Sequence, residues 1–353
     1  SDLQFLCMAF AQLTGRESLR DIEICLRAHQ AKLYHLGIRG HVARSTLADA
    51  NELRDWRIYA HFAQRLIATA RRLYADEPFD IELAHTAYAF DSTTIECCLS
   101  VFPWARAMHP GHGGIKLHTL LDMRGAIPTV IHFSESRLHD VNVLDQLIPE
   151  PGAIYVMDRA YLDFERLYRV HCEGAFFLMR TKKNLRVRRR YSHPVTDRTL
   201  IGCDQTVVWA REVAQQKYPT PLRRVRVRDP DSGQSILLLT NHFALPATTL
   251  GALYRHRWQI EIFFKWIKQH LRIKAFFGTS PNAVKTQVWI AVAVYVLIAI
   301  VRKRLQLTAS LYELLQMLSV TLFEQTPLKC ALQKQELHLS DSGTANQLIL
   351  FDD

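Results

Sequence analysis

Apolar and polar positions recur with two different periods along this chain, and the change of period divides it. Up to residue 78 the apolar positions keep helical spacing, as in Leu19, Ile22 and Leu26, which turns one face of a helix to a core. Two capping-box-like starts, Thr14-x-x-Glu17 and Ser18-x-x-Asp21, and a third start at Ser45 and Thr46 beyond the glycines at 37 and 40 mark where helices begin. From about residue 84 the period shortens. TAYAFD, ending at Asp91, reads as a strand, and GIKLHTLLDM (114–123) with IPTVIHFS (127–134) reads as a hairpin about an Arg124-Gly125 turn. AIYVMD (153–158) and FFLMR (176–180) read as further strands. Asp140 is read as the cap of a short helix through Leu147, and Asp163 as the start of another.

Three strands, a helix and a fourth strand, with acids at the ends of the first and fourth, give the order of an RNase H-like fold. There those two strands are neighbours, so their acids converge at one end of the sheet. Far more chain separates Asp158 from Glu261 than such a core needs to reach its last helix. The surplus holds the β-prone pieces QTVVWA, RRVRVRD and SILLLTNHF and is read as a mostly β insertion. The expected architecture is α/β: an RNase H-like catalytic core with a mostly β insertion, flanked by helical N- and C-terminal regions. Its segments are 1–78, helical; 79–182, the first part of the core; 183–246, the insertion; 247–280, the helix that completes the core; and 281–353, helical to about 335 and then polar and acidic.

Chemistry concentrates in YRHRWQIEIFFKWIK. Tyr254, Arg257, Glu261 and Lys268 follow the spacing Tyr-x2-Arg-x3-Glu-x6-Lys, which at about 3.6 residues per turn keeps all four on one side of a single helix. Ile260, Phe263, Phe264 and Ile267 form the opposite, core-facing side, and Trp258 and Trp266 are read as core too. An acid in line with two cations and a phenol, beside two strand-end aspartates, suits divalent metal held against a phosphodiester. Magnesium takes oxygen ligands and leaves positions for water and phosphate, and two ions about 3.5–4 Å apart serve nucleophile and leaving group together. Asp91, Asp158 and Glu261 are therefore the candidate catalytic residues and metal ligands. Arg257 and Lys268 either neutralise these acids in the free protein or hold the phosphates beside the cleavage point. Tyr254 either donates to phosphate or packs on the sheet.

This spacing, with both upstream aspartates in order, resembles the signature of DDE transposases of the insertion-sequence-four type. The similarity runs through FDSTTIECCLSVFPWA, KLHTLLDMRGAIPTVIHF, EPGAIYVMDRAYLDFERLY and LYRHRWQIEIFFKWIKQHLRIKAFFGTS, from about Ala84 to Ser280, and extends to the helical N-terminal part and the tail near NQLILFDD. The resemblance implies a cut-and-paste transposase using two ions of Mg2+ or Mn2+. It implies double-stranded DNA as partner, both terminal inverted repeats and target, bound by a homodimer and met in the bacterial cytoplasm at the nucleoid. Hydrolysis to free 3′-hydroxyls, their attack on target DNA, and a hairpin at the excised end belong to the same implication. Members of that family flip a base on to an aromatic side chain, which makes Trp209 the candidate platform, with interior packing as its alternative.

Charge and composition change this picture little. Arg180, Lys182, Lys183, Arg186, Arg188, Arg189 and Arg190 crowd the entrance to the insertion, and Arg223, Arg224, Arg226 and Arg228 follow. Such clusters either neutralise phosphates without reading sequence or form a solvated loop. A net charge of +10 and a pI near 9.3 favour an acidic partner such as nucleic acid. In 1–78 the helix–turn–helix order with Arg39, Arg44, Arg54 and Arg57 is read either as a DNA contact or as a subdomain that packs on the core. Seven cysteines with no Cys-x2-Cys pair argue against a disulfide framework and structural zinc and fit a reducing cytoplasm. The adjacent Cys97 and Cys98 are read as buried thiols. His109, His112, His118, His132 and His139 gather between the aspartates without ligand spacing, and Asp122 is read as a turn residue. VWIAVAVYVLIAIV (288–301) counts fourteen residues, short of the roughly 20 a membrane span needs, so it reads as a buried core helix. No signal peptide opens the chain, and its start without methionine points to a fragment lacking an N-terminal stretch. Two rivals share the same core: a structure-specific nuclease that cuts without joining, and a DNA-binding remnant without catalysis.

Overall fold

The structure, a computed structural model, describes residues 2–324 apart from 78, 80, 82, 84, 99–100, 106–111, 136–137, 182–184, 229–232 and 271–275. Expectations placed on Lys182, Lys183, His109 and the polar tail lie outside these residues, as do those resting on the side chains of Cys97, Cys98 and His112. The chain forms two compact units, one of Ser1–Leu73 with Gln269–Asp353 and one of Tyr74–Lys268.

The first unit begins with α1 (Asp2–Leu13), α2 (Leu19–Ala28) and the single turn α3 (Gln30–Leu33). Ser18 caps α2 as expected, its Oγ accepting the Asp21 N–H at 3.1 Å. Thr14 does not start a helix. It follows the last residue of α1, and its hydroxyl turns back to donate to the Phe10 carbonyl. α4 (Arg44–Leu53) begins one residue ahead of Ser45, and α5 (Arg57–Leu73) buries Tyr59, Ala63, Ile67 and Ala70 at helical spacing.

The second unit is mixed α/β. Its strands are β1 (Ala87–Cys98), β2 (His112–Asp122), β3 (Ile127–Glu135), β4 (Ile154–Met157), β5 (Phe176–Arg180), β6 (Val187–Ser192), β7 (Ile201–Trp209), β8 (Leu222–Arg228) and β9 (Ser235–Thr240). They make one sheet in the order β3-β2-β1-β4-β5-β9-β8-β7-β6. β4 pairs parallel with β1 and with β5, and every other pair is antiparallel. The strands of the insertion thus continue the same sheet, through β9 on β5. β4 is buried along its whole length, which is why IYVM reads as an unbroken apolar run. At the β2–β3 turn Gly125 has φ 79°, and a Cβ there would fall 2.4 Å from the Tyr74 ring, so only glycine fits.

Val187 to Ser192, read from sequence as the basic entrance to the insertion, either a phosphate contact or a solvated loop, is an edge strand. Arg188, Arg189 and Arg190 are exposed on it, and the ladder with β7 is irregular between Arg189 and Tyr191. Arginines and a bulge on an outer strand discourage pairing with another sheet.

One face of the sheet is covered by α6 (Phe164–Cys172) and α7 (Glu212–Lys217). Leu167, Val170 and Ala214 meet Tyr155, Met157, Phe177, Met179 and Leu239 there. Each large side chain so buried contributes about 1.5–3 kcal/mol, and this layer fixes the strands that carry the candidate site. α8 (Ala247–His256) packs against β5, β7 and β8, and α9 (Trp258–Lys265) against β1. At Gly251 α8 approaches β8 so closely that a Cβ would sit 2.8 Å from Val227 Cγ1.

The connection from β9 to α8 contains a titration-sensitive histidine. Leu245 donates its N–H to His242 Nδ1 at 3.2 Å, and the ring lies against Phe176. Burial, helped by His85 and Arg223, lowers the His242 pKa to about 4. An unfolded histidine titrates near about 6.5, so the neutral ring's contribution is fully present above that pH and is lost as pH falls through about 4. His242→Gln is therefore expected to unfold at lower urea than wild type at neutral pH, with the gap narrowing on acidification. A gap that stays constant with pH would show that the ring carries no such share.

The first unit is completed by α10 (Pro281–Arg304) and α11 (Leu311–Thr321). The fourteen apolar residues read from sequence are the middle of this 24-residue helix, which by length and composition does reach the size of a membrane span. Its most apolar window is 83% buried, however, and α5 packs along it, as a core helix requires. Asn282 ties its start to the α4–α5 connection, donating to the carbonyls of Asn51 at 2.8 Å and Arg54 at 2.7 Å and accepting the Trp56 N–H at 3.1 Å.

Candidate active site

β1 and β4 pair in parallel from Ala87 with Ile154 to Phe90 with Met157. The next residue on each is an aspartate, Asp91 and Asp158, and parallel neighbours end on the same sheet edge. Asp158 follows the last residue of β4. Asp91 is not at a strand end, as the sequence suggested: β1 runs on to Cys98, paired beyond Asp91 with β2 alone. Polar residues after Asp91 hide that continuation from a reading by hydrophobicity. One register step further along the edge stands Arg180, following Met179 of β5, which pairs with Met157. In the sequence Arg180 ends the strand FFLMR and heads the basic cluster at the entrance to the insertion; only strand pairing brings it beside the two aspartates.

The single helix expected over Tyr254–Lys268 is divided. α8 ends at His256, α9 begins at Trp258, and Trp266–His270 is a π-helical turn. Arg257 stands between the helices, where two three-residue backbone bonds, Arg257 N–H to Tyr254 at 3.3 Å and Ile260 N–H to Arg257 at 3.1 Å, tighten the chain. Tyr254, Arg257 and Glu261 nevertheless reach the aspartates. Tyr254 Oη lies 3.4 Å from Asp158 Oδ1. Arg257 donates from Nη1 to Asp91 Oδ2 at 2.9 Å and from Nη2 to Glu261 Oε1 at 2.7 Å. Lys268, on the π turn, donates to the Thr94 carbonyl of β1 at 2.6 Å. Ile260, Phe263, Phe264, Trp266 and Ile267 are buried, as their spacing predicts, but Trp258 is 60% exposed, on the outer side with Ile262.

Burial pushes the Asp91 carboxyl up to about 6; the Ser92 N–H at 2.8 Å and Arg257 pull it back, and Asp158 and Glu261 push it further up. The three acids therefore share one electrostatic environment. Behind Asp91 lies a polar network. Ser92 Oγ donates to Asp140 Oδ1 at 2.8 Å, and Lys116 Nζ donates to the same oxygen at 3.1 Å. Asp140 begins a 3-10 segment, Asp140–Gln146, without capping it, because its carboxylate turns to these partners instead. His118, opposite Ser92 in the β1–β2 register, is buried with Nε2 2.7 Å from Ser134 Oγ, and burial lowers its pKa to about 4. Lys116 and His118, two apart on β2, share a face with Ser92; that alternation is the signal in the sequence. Asp122 serves the turn as expected, accepting the Arg124 N–H.

Among the described residues, no group of three or more His, Cys, Asp or Glu is arranged to hold a metal ion. Between Asp91 and Glu261 sits the Arg257 guanidinium instead.

The remaining candidates divide. Trp209 is 2% exposed and packs on Phe164 at 4.4 Å between ring centroids, so it offers no face to a base and is a core residue. Arg223 is buried in an ion pair with Asp204 at 2.6 Å, unlike the exposed Arg226 and Arg228, and Arg224 donates to Gln205. Arg186, Arg188, Arg189 and Arg190 are exposed. In the helical unit Arg39 and Arg44 are exposed, while Arg54 donates to Gln4 and Arg57 pairs with Asp55.

A family model for the transposase DDE domain matches residues 82–297, and one for a domain of unknown function matches residues 1–39. The chain is 33% identical over 216 residues to a putative transposase, y4zB, of Sinorhizobium fredii, covering 60% of each. It is 32% identical over 208 residues to a probable transposase for insertion sequence element IS5377 of Geobacillus stearothermophilus, covering 59% of this chain and 54% of that one. A putative transposase for insertion sequence element IS4SA of Synechocystis is 23% identical over 270 residues, covering 74% and 73%. The chain thus spans little more than half the length of the first two relatives.

Proposed function

Because the chain belongs to the transposase DDE-domain family, we propose that it is a cut-and-paste DNA transposase of the insertion-sequence-four type. The observation that carries this reading is the meeting of Asp91, Asp158 and Glu261 from two parallel strands and a helix, with Arg257 joining two of them. The strand order β3-β2-β1-β4-β5, antiparallel then parallel, supports an RNase H-like core, with β6 to β9 as the insertion.

Asp91, Asp158 and Glu261 would hold Mg2+ or Mn2+, two ions in all. Their oxygens are the hard donors these ions take, and two of the three carboxylates already bind a cation, the guanidinium of Arg257. The donor set fits. When bound, such ions supply charge stabilisation at phosphorus and an activated oxygen nucleophile. The protein's own groups position substrate: Tyr254 beside Asp158 and Lys268 beside β1 stand where flanking phosphates would lie. Exposed Arg186, Arg188, Arg189 and Arg190 on and beside β6, with Arg226 and Arg228 on β8, would bear on the DNA backbone without reading bases. The partner is double-stranded DNA, transposon ends and target, bound by a homodimer.

The direct test incubates purified protein with labelled transposon ends, target DNA and Mg2+, scoring cleavage and joining separately. Cutting without joining would favour a structure-specific nuclease, and binding without cutting a remnant. The arginine reading has its own measurement. Changing Arg188, Arg189 and Arg190 together to Gln is expected to weaken end binding and flatten its salt dependence by up to about 0.9 log unit for each phosphate no longer neutralised. An unchanged salt slope would leave β6 a protected sheet edge and nothing more.

A further inference from the structure

Arg257 occupies the space between two of the acids assigned above to metal. Its side chain is only 14% exposed. Nη1 and Nη2 are spent on Asp91 Oδ2 and Glu261 Oε1, while the buried Nε has no hydrogen-bond partner among the described residues. The guanidinium carbon lies 5.7 Å from the Tyr254 ring centroid, and the Tyr254 hydroxyl reaches Asp158. One turn of chain, Tyr254 to Arg257, therefore touches two of the acids directly through its cation and the third through its phenol.

We propose that Arg257 is an internal counter-ion of the metal-free protein, one that must release Asp91 and Glu261 before divalent ions bind there. This rests on the reading of those carboxylates as metal ligands. The physical reason is competition for the same oxygens. A divalent ion on Asp91 Oδ2 and Glu261 Oε1 would stand within a few ångströms of a guanidinium that bonds to both at under 3 Å, and the like charges repel in a site largely screened from water. Without an ion, two partly buried carboxylates facing a third need a cation close by, and Arg257 supplies it. The backbone allows the change. Arg257 lies at the break between α8 and α9, outside the regular helical hydrogen-bond run, and both terminal nitrogens of its guanidinium bond to carboxylate oxygens that an ion would take. Once an ion neutralises these acids, the two ion pairs that hold Arg257 inward are lost and its contact with the Tyr254 ring remains.

Such a counter-ion lowers apparent metal affinity, because only the fraction of molecules with Arg257 withdrawn can bind. A residue that merely positioned the ligands would do the reverse, and its loss would weaken binding. The experiment measures binding of Mn2+ alone, without DNA, from the free-ion paramagnetic resonance signal, together with thermal melting at each Mn2+ concentration. Arg257→Gln is expected to melt below wild type without metal, to gain more on Mn2+ addition, and to bind Mn2+ about tenfold more tightly. Arg257→Lys keeps the charge but cannot span both carboxylates, and its affinity should fall between. Arg255→Gln, the same charge loss at an exposed position of α8, controls for long-range electrostatics and should shift affinity by less than about twofold. Equal or weaker Mn2+ binding by both Arg257 variants would overturn the counter-ion while leaving the metal site standing. If wild type, Arg257→Lys and Arg257→Gln all fail to bind Mn2+, the metal site fails and the counter-ion with it.

Discussion

Asp91→Asn, Asp158→Asn and Glu261→Gln are each expected to lower DNA cleavage by on the order of a thousandfold or more, while binding of transposon ends stays within a few-fold of wild type. Each substitution keeps the size and hydrogen-bonding reach of the side chain and removes the charge that a divalent ion needs. The fold gives no reason for collapse. Asp91 pairs with Thr119 of β2, one residue beyond the point where β1 is also paired with β4, and burial already disfavours its charge, so the neutral amide relieves a cost as well as loosening the link to Arg257. Cleavage of labelled ends in Mg2+, measured beside end binding and melting temperature, separates the outcomes. A variant that cuts at near wild-type rate takes its residue out of the proposed site. One that neither binds nor melts cooperatively marks a structural residue.

The second large effect concerns stability. Arg223→Met is expected to destabilise the full chain by about 3–5 kcal/mol, because it leaves a buried carboxylate without its counter-charge. Arg223 and Asp204 bury one another through two hydrogen bonds, at 2.9 and 2.6 Å, between β8 and β7. The same guanidinium donates to the carbonyls of Phe243 at 3.0 Å and Leu245 at 2.6 Å, tying the insertion's strands to the segment that leads into α8. Replacing both partners, as in Arg223→Met with Asp204→Leu, should recover a large part of the loss, since a matched apolar pair leaves no orphaned charge. Urea unfolding of the full chain decides this. A loss under about 1 kcal/mol in the single variant would mean that Asp204 finds water or another partner.

What the sequence determined by itself was local, and local patterns are written within a few residues. The Ser18 cap, the β2–β3 hairpin about Gly125, the apolar β4 and β5, and the buried face Ile260, Phe263, Phe264 and Ile267 all follow from period, capping and turn chemistry. The order and spacing of Asp91, Asp158 and Glu261 were legible for the same reason. Even Arg223 carries a local sign of its burial: it alternates with Val225 and Val227, on the buried face of β8, while Arg226 and Arg228 point out. Tertiary structure alone decided the rest, because each of those outcomes depends on a partner distant along the chain. β1 runs past Asp91 because β2 pairs with it there. The run around Arg188 becomes a strand because β7 offers an open edge, and Trp209 is interior because Phe164 of α6 covers it. Asp140 leaves its helix start for Ser92 and Lys116. Arg257 is 166 positions from Asp91; its charge was plain in the sequence, but which acids it would neutralise was fixed only when the sheet edge and the α8–α9 break came together, since pairing of charges follows distance and burial rather than spacing along the chain.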